Sequence, residues 1–550
     1  MVRIIYLDDS LTIHPAEAKN NCKFSKSSKN DTIRTVTRPL YVYFLFAAIL
    51  LVIYSPTLCF NYIFHDDVFF WFMADEHGQE HMTASTLAMG RYGSYVLVNI
   101  ENWLVHRAAD LQVLRFVALL GLSACAYLCH RILCRWGWRV LDAFLTSALV
   151  FTLPGVHSYM FWGRSTLLVF AAVLACMAFK LVQNNKPVLI PALLLALAIS
   201  IYPGLAMFYW ALVGAAVLFT EQKTARLFAA GIAGVLAYAS TVPIVKFLYT
   251  HFSPESIAQL GPYNPYQLSV DIPGKIRWLF GEPLNNTLNL WNIFPNIYVS
   301  AAVAVFVVST LWVFKPPRRF LQLIPVFLLG FLPNLIASIN VASYRNLFVL
   351  EVLAVFVLIW CVQAWLVRLW PQNAARLLTM LLAMALTGGA ATTFSNILYH
   401  RVLPSAMEWK AFTSMSKVVR FQGTDRVLIL LPDHQADKER YDEYGVLSTH
   451  YYNDIYLFLY AALHETRPAP AMPLVGIKFS NDPHLYDFSQ YVYRRQPDGT
   501  YLYKEMGTNK PYRPNPPTDT PKDVGWFILG RPLDLTAQPS GVFVLDLRRN

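Results

Sequence analysis

LYVYFLFAAILLVIYSPTLCF, residues 40–60, contains no charged side chain. A helix of this length covers the hydrocarbon core of a bilayer, which takes about 20 apolar residues. The same reading recurs at 111–130, 139–153, 165–183, 187–202, 204–220, 226–249, 296–314, 320–340, 346–367 and 374–397. It predicts eleven crossings, with the runs at 139–153 and 187–202 short for a span. Composition agrees. Of the 550 residues 55% are hydrophobic and 14% charged, against about 25% charged in a soluble protein. The charges gather before residue 39, between the apolar runs and after residue 400. The chain therefore divides into an arm at 1–39, a membrane domain at 40–400 with long polar loops at 61–110 and 250–295, and a polar domain at 401–550. The polar stretch ahead of residue 40 does not fit a cleavable signal peptide.

Alternation of charge sets the expected orientation, because cytoplasmic loops collect Lys and Arg near helix ends. With the N-terminus inside, the inside loops hold Arg131, Arg135, Arg139, Lys180, Lys186, Lys223, Arg226, Lys315, Arg318, Arg319, Arg368 and Arg376, beside seven more in the arm. The longer outside loops hold only Arg91, Arg107, Arg164, Lys275, Arg277 and Arg345. The C-terminus is then expected outside the cytoplasm. The net charge of +11 comes from these short loops; no basic stripe interleaved with aromatics points to nucleic acid. The inside loops carry no glycine-rich phosphate cradle, which speaks against a cytosolic nucleotide.

Residues 401–550 read as a small α/β domain. Strand patterns appear at 427–431, 473–479, 525–529 and 541–547, a helix at 451–464, and a hairpin turn at Pro497-Asp498-Gly499. The domain has no cysteine, so no disulfide framework holds it. Cys125, Cys129 and His130 share a helical neighbourhood, but they lie in an apolar span without an acidic partner and read as small membrane-helix residues. Asn285-Asn286-Thr287 is a glycosylation sequon by pattern alone.

FNYIFHDDVFFW, residues 60–71, is the stretch richest in chemistry. Asp66 and Asp67 follow the first span among aromatics, where a charge is costly to desolvate and is retained for a purpose. Such a carboxylate suits a general base or a cation ligand; the alternative is a helix cap beside a solvated neighbour. Gly90-Arg91-Tyr92-Gly93 heads the return to the second span. His157 and Arg164 flank the VHSYMFWG turn, Tyr202 opens the turn after 187–202, and Arg345 sits in SYRN between two spans. Arginines at a membrane mouth can hold a phosphate bidentately; singly, each can also snorkel to lipid headgroups. Lys275 and Arg277, in DIPGKIRWLFG, read as headgroup anchors of an interfacial amphipathic helix. Tyr62, Trp71, Trp162 and Tyr202 fit either a sugar platform or an interfacial aromatic belt.

An inside N-terminus, an outside Asp-Asp after the first helix and a Gly-Arg before the next resemble the bacterial O-antigen glucosyltransferases that modify lipopolysaccharide, within the GT-C class of polytopic glycosyltransferases. Val68, Phe69 and Phe70 stand where those enzymes place a basic residue soon after the acidic pair. The resemblance implies a GT-C-like helical membrane fold in a bacterial cytoplasmic membrane. It implies a polyprenyl-phosphate sugar donor, glucose as the first sugar, a glycan acceptor on the outer face, and membrane lipids as surroundings. Asp66 or Asp67 is then the base, and Arg91, His157, Arg164, Tyr202 and Arg345 line the substrate. A divalent cation at the Asp pair is compatible with the sequence and not required by it. The rivals are a lipid-linked glycan flippase or transporter, which usually carries buried charges and paired repeats, and a non-catalytic envelope assembly protein. No repeat is apparent, and Glu351 is the main carboxylate within a span.

Overall fold

A computed structural model describes most of residues 29–418 and five short stretches after them. Residues 1–28, 65–85, 88–89, 106–107, 222–223, 253–270, 295, 317, 338–339 and 341 lie outside the described residues, as do those after 418 apart from the strands given below.

The described residues up to 418 are almost wholly helical. Apart from two short ones, Pro203–Ala206 and Leu332–Ile336, the α-helices in chain order are α1 (Lys29–Cys59), α2 (Tyr92–Leu104), α3 (Asp110–Arg135), α4 (Val140–Val150), α5 (Pro154–Phe161), α6 (Phe170–Gln183), α7 (Leu189–Ile201), α8 (Phe208–Phe219) and α9 (Ala225–Phe252). They continue with α10 (Ile272–Phe280), α11 (Glu282–Leu288), α12 (Ile297–Phe314), α13 (Leu323–Gly330), α14 (Tyr344–Leu369), α15 (Ala374–Ile397) and α16 (Leu403–Val418). A π turn at Leu398–Val402 joins the last two.

Six of these segments are long and apolar enough to cross a membrane, and α4 with α5 makes a seventh if that bent pair is one span. The protein is an α-helical membrane protein by this measure. Four more apolar helices, Leu167–Gln183, Leu189–Ile201, Pro203–Phe219 and Phe320–Gly330, are shorter. The 13 residues of α7 reach only about 20 Å at about 1.5 Å per residue, short of a 30 Å core. The eleven sequence runs thus correspond to six long helices, one bent pair and these four.

The centre of the bundle is α14, which packs on α5, α8 and α11, while α3 packs on α1 and α6 on α7. The bend between α4 and α5 is 63° and falls at Thr152-Leu153-Pro154. Proline lacks the N–H that would continue the helix, and it fits at the first position of the next one. A broken helix in an apolar core exposes backbone groups that need partners, and other helices supply them. Tyr54 donates its hydroxyl to Phe151 O at 2.7 Å, and Thr393 donates to Thr152 O at 2.7 Å. The N–H of Gly155 donates to Glu351 Oε2 at 2.9 Å. A Cβ on Gly155 would lie 2.6 Å from Phe348 Cα, so only glycine lets α5 approach α14 this closely.

Beyond the helices, β1 (Arg426–Leu431), β2 (Val475–Phe479), β3 (Gly525–Ile528), β4 (Arg531–Pro532) and β5 (Val542–Asp546) form one sheet in the order β2-β1-β5-β3-β4. All pairs are parallel except β3 with β4. The expected helix at 451–464 and the turn at 497–499 lie outside the described residues.

Candidate phosphate-binding end of the bundle

Helix α3 runs between two ends of the bundle, with Arg115 near its start and Arg131 and Arg135 near its finish. At the first end, arginines lie on aromatic rings. Arg115 is fully buried. Its guanidinium carbon sits 3.8 Å from the centre of the Tyr62 ring, and Nη2 donates to Tyr62 O at 3.2 Å. Its Nε and Nη1 have no partner. Tyr62 donates its own hydroxyl to Phe161 O at 3.0 Å. Phe64 meets Phe161 edge-on at 5.1 Å and Trp162 at 6.3 Å. Arg401, only 6% exposed, lies 5.4 Å from the Phe64 ring and 5.8 Å from that of Phe161.

The wall continues on the far side of Trp162. Arg345 lies 4.7 Å from that ring, with a buried Nε that has no partner. Its carbonyl accepts from the Tyr159 hydroxyl at 3.0 Å. Tyr159 packs edge-on against Tyr202 at 5.7 Å, and Tyr202 donates to Asn346 Oδ1 at 3.4 Å. Arg91 lies 5.0 Å over the Tyr202 ring. Gly90 makes that reach: its φ of +70° turns the chain into α2, and a Cβ there would lie 2.6 Å from the Tyr238 hydroxyl oxygen.

Magnitudes show what this arrangement lacks. Taking a cation out of water costs several kcal/mol, whereas one cation–π contact returns about 0.5–2 kcal/mol. Among the described residues no carboxylate lies within ion-pair distance of Arg91, Arg115 or Arg345. The rings therefore hold these cations without neutralising them, which leaves donors and charge for an anion.

The expected site residues divide accordingly. Arg91, Tyr202 and Arg345 join this cluster. His157 does not: it is fully buried at the helix break, where Nε2 lies 3.1 Å from Thr152 O and 3.3 Å from Thr393 Oγ1. Of Arg164 the structure describes only the backbone, in a 3-10 turn at Gly163–Val169. Asp66 and Asp67 lie outside the described residues. Lys275 is buried on the Trp278 ring at 5.0 Å, and burial pushes its pKa down; Arg277 on the same helix is exposed. No group of three His, Cys, Asp or Glu side chains fit for a metal ion occurs among the described residues.

Arg115 and Arg401 were not anticipated. Arg115 carried a signal, since a charge inside an apolar run is normally there for a function. Arg401 follows the last run and looks like any snorkelling end residue. Compared with protein-family models and with curated proteins, the sequence matches none.

Proposed function

We propose that the protein is a membrane glycosyltransferase that moves a sugar, glucose first, from a polyprenyl phosphate to a glycan hydroxyl. The observation that carries this reading is that Arg115 and Arg345 lie on aromatic rings with no carboxylate within ion-pair distance among the described residues, the ring under Arg115 being that of Tyr62, four residues before Asp66 in the chain. Such a set fits the phosphate of a lipid donor.

In the reaction the acceptor oxygen bonds to the anomeric carbon of the sugar as the bond from that carbon to the phosphate oxygen breaks. Asp66 or Asp67 takes the hydroxyl proton. The departing polyprenyl phosphate gains negative charge, and Arg345, Arg115 and Arg91 stabilise it through charge-assisted hydrogen bonds in a site of low polarity. A divalent cation at the Asp pair would add charge for the same oxygens.

In this reading all eleven apolar segments cross or enter the bilayer of a bacterial cytoplasmic membrane, with residues 1–39 inside. Residues 401–550 then form an extracytoplasmic α/β domain, and its sheet order, parallel but for one edge pair, supports that class. A reporter fused after residue 550 is expected to be active only when exported; cytoplasmic activity of the intact fusion would overturn the orientation.

The chemical test is transfer from polyprenyl-phosphate glucose in membranes holding equal amounts of each variant. Asp66→Asn or Asp67→Asn is expected to lower the rate about 10²- to 10⁴-fold, the usual cost of losing a general base. Losing a helix cap costs only about 1 kcal/mol of stability and would leave transfer nearly intact. Near-normal transfer by both variants sinks the assignment of the base. A wild-type chain inactive with every lipid-phosphate donor moves the transporter reading ahead.

A further inference from the structure

A second polar cluster adjoins the arginines and has no role in the reading above. It is built by α11 and the turn after it, packed against the start of α14. Asn286 Nδ2 donates to Ala342 O at 3.5 Å. Asn289 Nδ2 donates to Asn292 O at 2.6 Å and Phe294 O at 2.8 Å, and lies 3.4 Å from the Tyr344 hydroxyl. The amide nitrogens of Asn286 and Asn289 are thereby occupied. The side-chain oxygens of Asn285, Asn286 and Asn289 and the hydroxyl of Ser343 are buried and have no partner. Asn286, Asn289 and Ser343 are 6%, 1% and 0% exposed.

A buried polar group left unpaired costs about 1–3 kcal/mol, and native proteins carry only a few per 100 residues. Four such oxygens on one short stretch of contact are therefore unusual, and three of them are pure acceptors that need a donor. Position sharpens the chemistry. Ser343 and Tyr344 directly precede Arg345, and Asn346 Oδ1 holds the Tyr202 hydroxyl beneath Arg91. A cation is disfavoured, because the ledge offers no carboxylate and Arg345 adds positive charge beside it. Hydroxyl groups are suited, since each donates one hydrogen bond. The absence of charged side chains among Asn285, Asn286, Asn289 and Ser343 selects a neutral polyol.

We propose that Asn285, Asn286, Asn289 and Ser343 form the binding ledge for the hydroxyls of a neutral sugar, the one borne by the phosphate that Arg345 holds. The inference rests on the glycosyltransferase reading and assigns that donor's sugar to residues distinct from its phosphate. One donor then lies across consecutive residues at the start of α14.

The test is equilibrium binding to the purified full-length protein of two probes, a short prenyl-phosphate glucose and the same prenyl phosphate without sugar. Wild type is expected to bind the glucose form more tightly. Ser343→Ala removes a hydroxyl that has no protein partner, so the fold is unaffected; Asn289→Leu removes an acceptor and is checked by its monodisperse elution. Each is expected to weaken the glucose form about two- to tenfold, the worth of one hydrogen bond, with prenyl phosphate unchanged. Arg345→Gln is expected to weaken both probes. Wild-type binding of both probes alike, or Ser343→Ala binding the glucose form as wild type does, overturns the sugar ledge and leaves the phosphate reading standing. Binding of neither probe by wild type removes the reading beneath it as well. Stabilisation by Na⁺ or Ca²⁺ alone, lost in Asn289→Leu, makes the ledge a cation site and overturns the inference.

Discussion

The two ends of α3 use the same side chain in opposite ways. At the far end the arginines are staples. Arg131 donates to the Tyr127 hydroxyl at 2.8 Å, and Arg135 to Asn184 Oδ1 and, at 3.1 Å, to Gln183 O. Arg139 donates to Ala375 O at 2.8 Å and lies 3.8 Å from Asp142, and Arg226 donates to Lys186 O at 2.6 Å and Asn185 Oδ1 at 3.0 Å. Their heads are mostly in water, and their partners are carbonyls, side-chain amides, a tyrosine hydroxyl and one carboxylate. At the near end Arg115, Arg345 and Arg91 lie against rings, with no carboxylate in ion-pair reach among the described residues and, for the first two, unpartnered nitrogens. An exposed staple shares its charge with water and polar partners, even where, as at Arg131, a ring lies 5.8 Å away; a buried cation held on a ring keeps more of it for a ligand. Arginine identity and spacing do not separate these cases, and burial with partner chemistry does.

The largest effect should separate the ends by activity. Arg345→Gln or Arg115→Met is expected to cut sugar transfer about 10²- to 10³-fold, the scale of losing one donor to a developing anion, while Arg135→Gln stays within about twofold of wild type. Among the described residues Arg115→Met also orphans no carboxylate, and replacing a buried charge by an apolar side chain of similar volume is often neutral or stabilising. Thermal unfolding should therefore show Arg115→Met at least as stable as wild type. A large loss of stability with normal transfer would make Arg115 a structural residue and erase the contrast.

An intermediate effect concerns how tightly the two ends are built. Gly155→Ala would force a Cβ to within 2.6 Å of Phe348 Cα and 2.8 Å of Glu351 Oε2, and overpacking of this kind costs about 1–3 kcal/mol. Gly137, at the basic end, has open space around its Cβ position and a φ of +84°. Gly137→Asn is expected to cost under about 1 kcal/mol, because asparagine tolerates the left-handed region. Unfolding midpoints of the purified variants would decide, and equal losses would show that the break between α4 and α5 is no tighter than a surface turn.

The smallest effect should come from the basic end's own ion pair. Arg139 is 46% exposed on its side chain, so Arg139→Gln is expected to cost no more than about 0.5 kcal/mol. A loss of several kcal/mol, read as a drop in unfolding midpoint at low salt, would show that the staples matter as much as the ring-held arginines.

The sequence by itself determined that the chain is a helical membrane protein and where its apolar helices lie. Hydropathy over about 20 residues is a local property, and lipid imposes it on each span separately. It also singled out Glu351, which stands out against its own apolar neighbours. Only the tertiary structure decided which polar residues share a place. Arg115 and Tyr62 are 53 residues apart, Arg401 and Phe64 further still, and no local pattern joins them. His157 reads as a mouth residue along the chain, yet it closes a helix break against Thr393 on α15. Asn285 and Asn286 read only as part of a sequon and Asn289 carried no reading, since their unpaired oxygens appear only once Ala342–Tyr344 is packed against them. The physical reason is that a side chain's period shows how deep it sits in lipid, whereas its partners depend on which helices pack, and that is settled by contacts between residues far apart in the chain.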